Sequence, residues 1–169
     1  MPPLPFDPIR EASRQWEKHW GRETAAPMEA VISIVRAQQI LVARLNAVLQ
    51  EFDLTYSRYE TLMLLLYSRA GSLPLGKMGV RLQVHLTNVT KLVDALEARG
   101  LAVRTPHPED RRTTLATITD RGREVAAAAT HAVNAIDFGT TPLTEGALDD
   151  VIVALRDLRR GAGDYEEAE

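Results

Sequence analysis

Thr87, Asn88, Thr90 and Lys91 place four hydrogen-bonding side chains, one of them cationic, within five consecutive positions. The apolar residues among and after them, Leu86, Val89, Val93 and Leu96, recur at helical spacing and predict a helix over about Leu86 to Arg99 with one buried stripe. The polar four then project from its first turns. None is large and apolar, so that surface does not require burial. The amide of Asn88 offers a donor and an acceptor together, the pattern that pairs with adenine in a DNA major groove. Lys91 and the earlier Lys77 suit phosphate oxygens better than base edges. Downstream, Pro108-Glu109-Asp110-Arg111-Arg112 reads as a hairpin tip. A guanidinium such as that of Arg112 can enter a narrow minor groove, where the potential is most negative. Asp110 can orient it by a charge-assisted bond, and Arg111 suits phosphate. Arg104 and Thr113 complete the set expected at the DNA backbone. The plainer reading of the same residues is a solvated helix start and surface ion pairs.

The elements needed to hold these groups can be read along the chain. A short helix over about Gly76 to Leu82, a turn at Gln83-Val84-His85, the helix just described, and strands at Ala102 to Pro106 and Thr114 to Ile118 make a winged helix-turn-helix. Asp7-Pro8 starts a first helix with Ile9, Ala12, Trp16 and Trp20 on one face, stopped by Gly21. After a loop through Pro27, a long helix is expected from Met28 to Gln50. Its near-heptad stripe comprises Val31, Ile34, Val35, Leu41, Val42, Leu45, Val48 and Leu49. Ser57-Arg58-Tyr59-Glu60 fits a capping box for a helix to about Ala70. Thr119 caps a helix to about Phe138, and Thr144 caps a last one to about Arg160 with Leu148, Val151, Ile152, Leu155 and Leu158 inward. The class is mainly α with a two- or three-stranded β-wing. The terminal helices carry more apolar surface than a small reading head can cover, which points to mutual burial across a two-fold axis.

With 169 residues, the chain has room for one domain with a real core. Net charge is −3, yet from Leu75 to Thr113 seven Lys/Arg face four Asp/Glu, so that segment is +3 and the remainder −6. A basic footprint on an acidic body is the relevant signature for a nucleic-acid partner. The acidic stretch Asp164 to Glu169 reads as solvated and disordered. There is no cysteine, which excludes disulfides and thiolate metal sites. No uninterrupted apolar run reaches the ~18 residues of a membrane helix, and no signal peptide is visible, so a cytoplasmic protein without a membrane partner is expected. His19, His85, His107 and His131 lie in separate elements without metal spacing. No cofactor motif is present. No nucleophile-base set or phosphate loop argues for an enzyme, and Asp149-Asp150 suits a helix start.

The stretch from Leu54 to about Ala128 resembles the MarR family of winged-helix transcriptional regulators. The likeness is carried by Leu54-Thr55-Tyr56-Ser57-Arg58-Tyr59-Glu60-Thr61-Leu62, then by Leu75-Gly76-Lys77-Met78-Gly79-Val80-Arg81-Leu82. Thr90-Lys91-Leu92-Val93-Asp94-Ala95-Leu96-Glu97-Ala98-Arg99-Gly100-Leu101 and Asp110-Arg111-Arg112-Thr113-Thr114-Leu115-Ala116-Thr117-Ile118-Thr119 follow in order. The resemblance implies a single domain over residues 1–169, with dimerisation helices at 7–52 and 120–160 around a DNA-binding region at 54–119. It also implies an obligate homodimer on double-stranded DNA, usually a repressor of a pseudo-palindromic operator. Small, often anionic aromatic effectors release many such proteins. The first helix, with Trp16 and Trp20, resembles the urate-responsive branch, which uses a Trp in this helix, an acid near Glu60 and an Arg at about Lys91; here Glu and Lys stand. A ligand pocket formed by Trp16, Trp20, Tyr59, Glu60 and His85 is therefore an expectation. Each has a simpler role: the tryptophans as dimer anchors, Glu60 as a capping residue. A regulator without a ligand, or a protein-interaction module without DNA, is the alternative.

Overall fold

The computed structural model describes residues 4–110 and 112–166. Arg111, Glu167, Ala168 and Glu169, to which the sequence reading assigned roles, lie outside the described residues. Seven α-helices and three strands follow in the order α1 (Pro8–Trp20), α2 (Arg22–Leu49), α3 (Tyr56–Leu66), β1 (Ser72–Pro74), α4 (Leu75–Leu82), α5 (Leu86–Glu97), β2 (Ala102–Pro106), β3 (Thr114–Ile118), α6 (Asp120–Ala135) and α7 (Glu145–Gly161). The sheet is antiparallel in the order β1-β3-β2, with Leu73 opposite Ala116 and Arg104 opposite Ala116 on the other side. β2 and β3 match the expected strands. β1 is a three-residue addition containing Pro74, too short to register as a pattern.

One core joins the head. Leu45 and Leu49 from α2 meet Leu62 and Leu65 from α3, Met78 from α4, Val89, Val93 and Leu96 from α5, Ala116 and Ile118 from β3, and Ala126, Ala129 and Val133 from α6. The stripe expected on α5 is buried except for Leu86, which is exposed. Alanines on α6 let that helix approach closely. Thr61, the one buried polar residue among those described, donates its hydroxyl to Ser57 O at 2.7 Å. Tyr59 is also in the core, its hydroxyl 3.0 Å from that of Thr130.

Several boundaries differ from expectation. Asp7 caps α1 as read, accepting from the amides of Ile9 and Arg10. Gly21 alone then separates α1 from α2, and Pro27 lies inside α2 rather than in a loop. It falls in the second turn, where a proline forfeits one backbone bond without stopping the helix. α3 is capped by Thr55, which accepts from the Arg58 amide at 3.4 Å, so Glu60 is not part of a capping box. Asn46 of α2 adds a second cap by accepting from the Tyr56 amide at 2.7 Å. α3 ends at Leu66 and α6 at Ala135, each short of the predicted end. Arg44 fastens α2 to the connection before α7 by donating to Gly139 O at 2.5 Å and Thr141 O at 2.9 Å.

The largest departure concerns the terminal helices. No residue of α1 or α7 is buried. The α7 stripe thus faces away from its own protomer, with Ile152 58% and Leu158 60% exposed. Trp20 (68%) and Val31 (61%) stand equally open on α1 and α2. Arg22–Phe52 forms a continuous helical stretch long and apolar enough by length and composition to cross a membrane, with a window of mean hydropathy 1.3. Arg36, Gln38 and Gln39 interrupt it, and its final turn is anchored in the core by Leu45 and Leu49.

The acidic stretch after α7 is ordered as far as it is described. Gln83 donates to Asp164 at 2.7 Å, and Arg159 stacks on Tyr165 at 5.5 Å. The disorder expected from composition therefore does not hold at Asp164 and Tyr165.

Candidate nucleic-acid interface

The reading helix is aimed by a tight turn. Val84 donates to Gly79 O at 3.0 Å and Gln83 takes a left-handed conformation at φ 54°. A Cβ on Gly79 would sit 3.1 Å from Val84 O, a tight contact that the turn would have to relieve by a few tenths of an ångström. His85 then caps α5: its Nδ1 accepts from the Thr87 amide at 3.3 Å and lies 3.0 Å from the Thr87 hydroxyl. That engagement commits the His85 ring to the helix start. Thr87, Asn88, Thr90 and Lys91 are all exposed on the face opposite Val89 and Val93, as expected. Thr90 turns its hydroxyl back to Leu86 O at 3.1 Å.

The wing tip is held by Asp110. Its carboxylate accepts from the Thr113 hydroxyl at 2.7 Å and from the Arg112 amide at 3.0 Å. Those two bonds, the Thr113 hydroxyl foremost, hold the carboxyl below the usual carboxylate range. Asp110 therefore shapes the loop backbone and does not grip the Arg112 guanidinium, contrary to the sequence reading. Thr113 is likewise a loop tie, and His107 closes the loop base by donating its amide to Thr113 O at 3.0 Å. Arg111 falls outside the described residues.

The two parts face one another. Lys77, Leu86, Thr90, His107, Arg112 and Thr113 line one open groove between α4–α5 and the wing. Among the described residues, the side chains of Lys77, Asn88, Lys91 and Arg112 make no hydrogen bond or ion pair. Exposed cations that pair with no group among the described residues are available to an anionic partner.

Two other cations of the basic segment are already engaged. Arg99 binds Asp53 with Nε to Oδ2 at 2.7 Å and Nη2 to Oδ1 at 3.1 Å, and this pairing holds the Asp53 carboxyl below its usual range. Arg104, expected at the DNA backbone, is instead directed into α5: Nη2 meets Asp94 at 2.7 Å and Thr90 O at 3.0 Å, and Nη1 pairs with Glu97. Sequence reading missed this tie. Its signal was present, since Asp94 and Glu97 share a helix edge at i, i+3 and an Arg follows across a short turn.

The expected ligand residues do not converge within the protomer. Trp16 and Trp20 lie on α1, ring centroids 6.1 Å apart and tilted by 38°. Tyr59 is enclosed in the head core and His85 is the α5 cap. Glu60 lines a cleft together with Ser57, Leu82, Val84, Asn88 and Lys91. Glu60 also acts on Tyr56: burial first, then the Glu60 carboxylate, pushes the Tyr56 phenol up to about 12.

Residues 54–114 match the family model described as the MarR family. The chain is similar to Sco5413, a MarR family transcriptional regulator from Streptomyces coelicolor, with 46% identity and a TM-score of 0.78 over 84% of this chain and 99% of that one. The chain belongs to the MarR family. Among curated relatives of this MarR protein, YhbI of Bacillus subtilis (strain 168), an uncharacterised HTH-type transcriptional regulator, is 35% identical over 81 residues. That match covers 48% of the chain and about half, 51%, of the relative's length. The transcriptional repressor CouR, bound to a 23-mer DNA duplex, is 28% identical with a TM-score of 0.69 over 75% of this chain and 89% of that one. CouR from Rhodococcus jostii RHA1 has also been seen bound to p-coumaroyl-CoA, at 26% identity and a TM-score of 0.65 over 80% and 92%. The MarR fold, mainly helical with a small antiparallel sheet, is thus the fold of this chain, and its relatives are transcriptional regulators rather than enzymes.

Proposed function

We propose that this MarR-family chain acts as a homodimeric repressor on a pseudo-palindromic operator in double-stranded DNA. The carrying observation is the groove flanked by unpaired Lys77 and Arg112, with Asn88 and Lys91 unpaired on the same reading helix. Thr87 and Asn88 read base edges in the major groove, Lys77 and Lys91 take phosphates, and Arg112 enters the minor groove. The open apolar faces of α1, α2 and α7 support pairing with a second copy, which would set two reading helices about one DNA turn apart. Acting on DNA, such a regulator works in the cytoplasm. The cleft of Glu60, Asn88 and Lys91 supports a small anionic aromatic effector: a ligand there displaces reading-helix side chains and releases the operator in proportion to its preference for the released state. Binding of labelled DNA from upstream of the chain's own gene, measured across a salt series, tests the reading. Arg112→Ala should weaken operator binding by about 1–3 kcal/mol, roughly 5- to 150-fold, and Asn88→Ala should relax base choice at one position per half-site. A parent protein with no preference over random duplex would refute it.

A further inference from the structure

We infer that Arg104 is a positioning residue for DNA recognition: it fixes the wing to the reading helix, and so fixes how many base pairs separate the major-groove contact from the minor-groove contact in each half-site. The inference rests on the DNA-binding reading of this face.

Arg104 lies in the middle of β2, opposite Ala116 of β3, two residues before the wing loop opens. Its side chain leaves the strand and runs along one edge of α5. The guanidinium meets Thr90 O at 3.0 Å, Asp94 Oδ1 at 2.7 Å and Glu97 Oε2. Those three positions, i, i+4 and i+7, climb two turns of a single helical edge. Glu97 closes the circuit, because its other oxygen accepts the Arg104 backbone amide at 2.7 Å. One carboxylate therefore holds both ends of the same residue. Apolar packing beneath α5 is non-directional and tolerates small slides. A planar fork bound at several points is directional and tolerates little. With only about a quarter of its side chain exposed, the fork is also partly shielded from solvent screening. The uppermost anchor, Thr90, lines the groove together with Arg112, so the clamp ends where the two DNA-facing parts meet.

The test is a double-mutant cycle with a spacing selection. Operator binding is measured for the parent, Arg104→Ala, Arg112→Ala and the double variant. Operators are also selected from a library in which the outer and inner parts of each half-site are separated by one base pair more or fewer. Arg104→Ala is expected to bind roughly tenfold more weakly, and in its background Arg112→Ala should lose less than about threefold further. Its selected sites should accept altered spacing, while far-ultraviolet circular dichroism and dimer mass match the parent. Glu97→Gln should reproduce the relaxed spacing, and Arg104→Lys should fall between parent and alanine. Asp94→Asn, at an exposed partner, gives the same readout should Arg104→Ala fail to fold. Independent losses from Arg104 and Arg112 with unchanged spacing would overturn the inference while leaving the DNA reading standing. No operator preference in the parent, or no effect of Arg112→Ala, would remove both.

Discussion

Replacing Gly122 with alanine sets two physical effects against each other. Gly122 is the third residue of α6, and exchanging a helical glycine for alanine ordinarily stabilises by about 1 kcal/mol. Here an added Cβ would lie 2.1 Å from Leu101 O, 2.8 Å from Ile118 Cγ1 and 3.0 Å from the Leu101 carbonyl carbon. The first contact is backbone, and a carbon and a carbonyl oxygen need about 3.3 Å, so the helix or the segment entering β2 has to move by about 1 Å. That same carbonyl accepts from the Thr119 amide at 3.1 Å, the bond that seats the start of α6 on the base of the wing. Overpacking of this kind costs about 1–3 kcal/mol, and a weakened backbone bond adds about 1 kcal/mol. Against the propensity gain, the net expectation is a loss of about 1–3 kcal/mol, or roughly 3–10 °C in melting temperature. Urea and thermal unfolding at one fixed protein concentration measure it, since association makes the midpoint depend on concentration. Gly146→Ala is the control: nothing lies within 4 Å of its added Cβ in the protomer, so stability should be unchanged or higher. If Gly122→Ala equals or exceeds the parent, the account of α6 docking on Leu101 is wrong.

Three further outcomes are expected. Asn46→Ala removes the acceptor for the Tyr56 amide and should lower stability by about 1 kcal/mol in urea titrations; an unchanged midpoint would show that water replaces the bond. Tyr56 carries a folded-state pKa of about 12 against about 10 unfolded, so its contribution is complete below pH ~10 and is lost as pH rises through 12. Tyr56→Phe should flatten that alkaline decline, and an identical decline in the variant would contradict the assignment. For Asp110 the sign is opposite: its lowered carboxyl supports the wing tip above about pH 4, and that support is lost as pH falls through the lower folded value. The Arg112 amide resonance should report a midpoint below about 3.9, and Asp110→Asn should abolish the step.

The reading head was legible because its signals are local. Val89, Val93 and Leu96 mark the buried side of α5 by spacing alone, and the polar break around Asp110 separates two β-rich runs at the correct residues. Thr119 and Thr144 announced their helices because each is followed by the turn it caps. Other features depend on what a segment meets in space. Pro27 resembles a boundary until its place in the second turn of α2 is known. Leu155 and Leu158 look like core residues because spacing reports an apolar face and not which molecule covers it. The same limit applies at the site. Arg104, Lys77 and Arg112 are equivalent as letters, yet only Arg104 lies within reach of two carboxylates on α5. Resemblance groups Tyr59 and Trp16 as pocket residues, whereas Tyr59 points into the core and Trp16 lies on the exposed first helix.

The contact between Gln83 and Asp164 has a practical corollary. A fluorophore, spin label or fusion partner attached just beyond Tyr165 would reside next to the bend joining α4 and α5, close enough to perturb or report on its motion. Attachment there is thus a poor choice for immobilising this protein on a sensor surface and a good one for watching the bend respond.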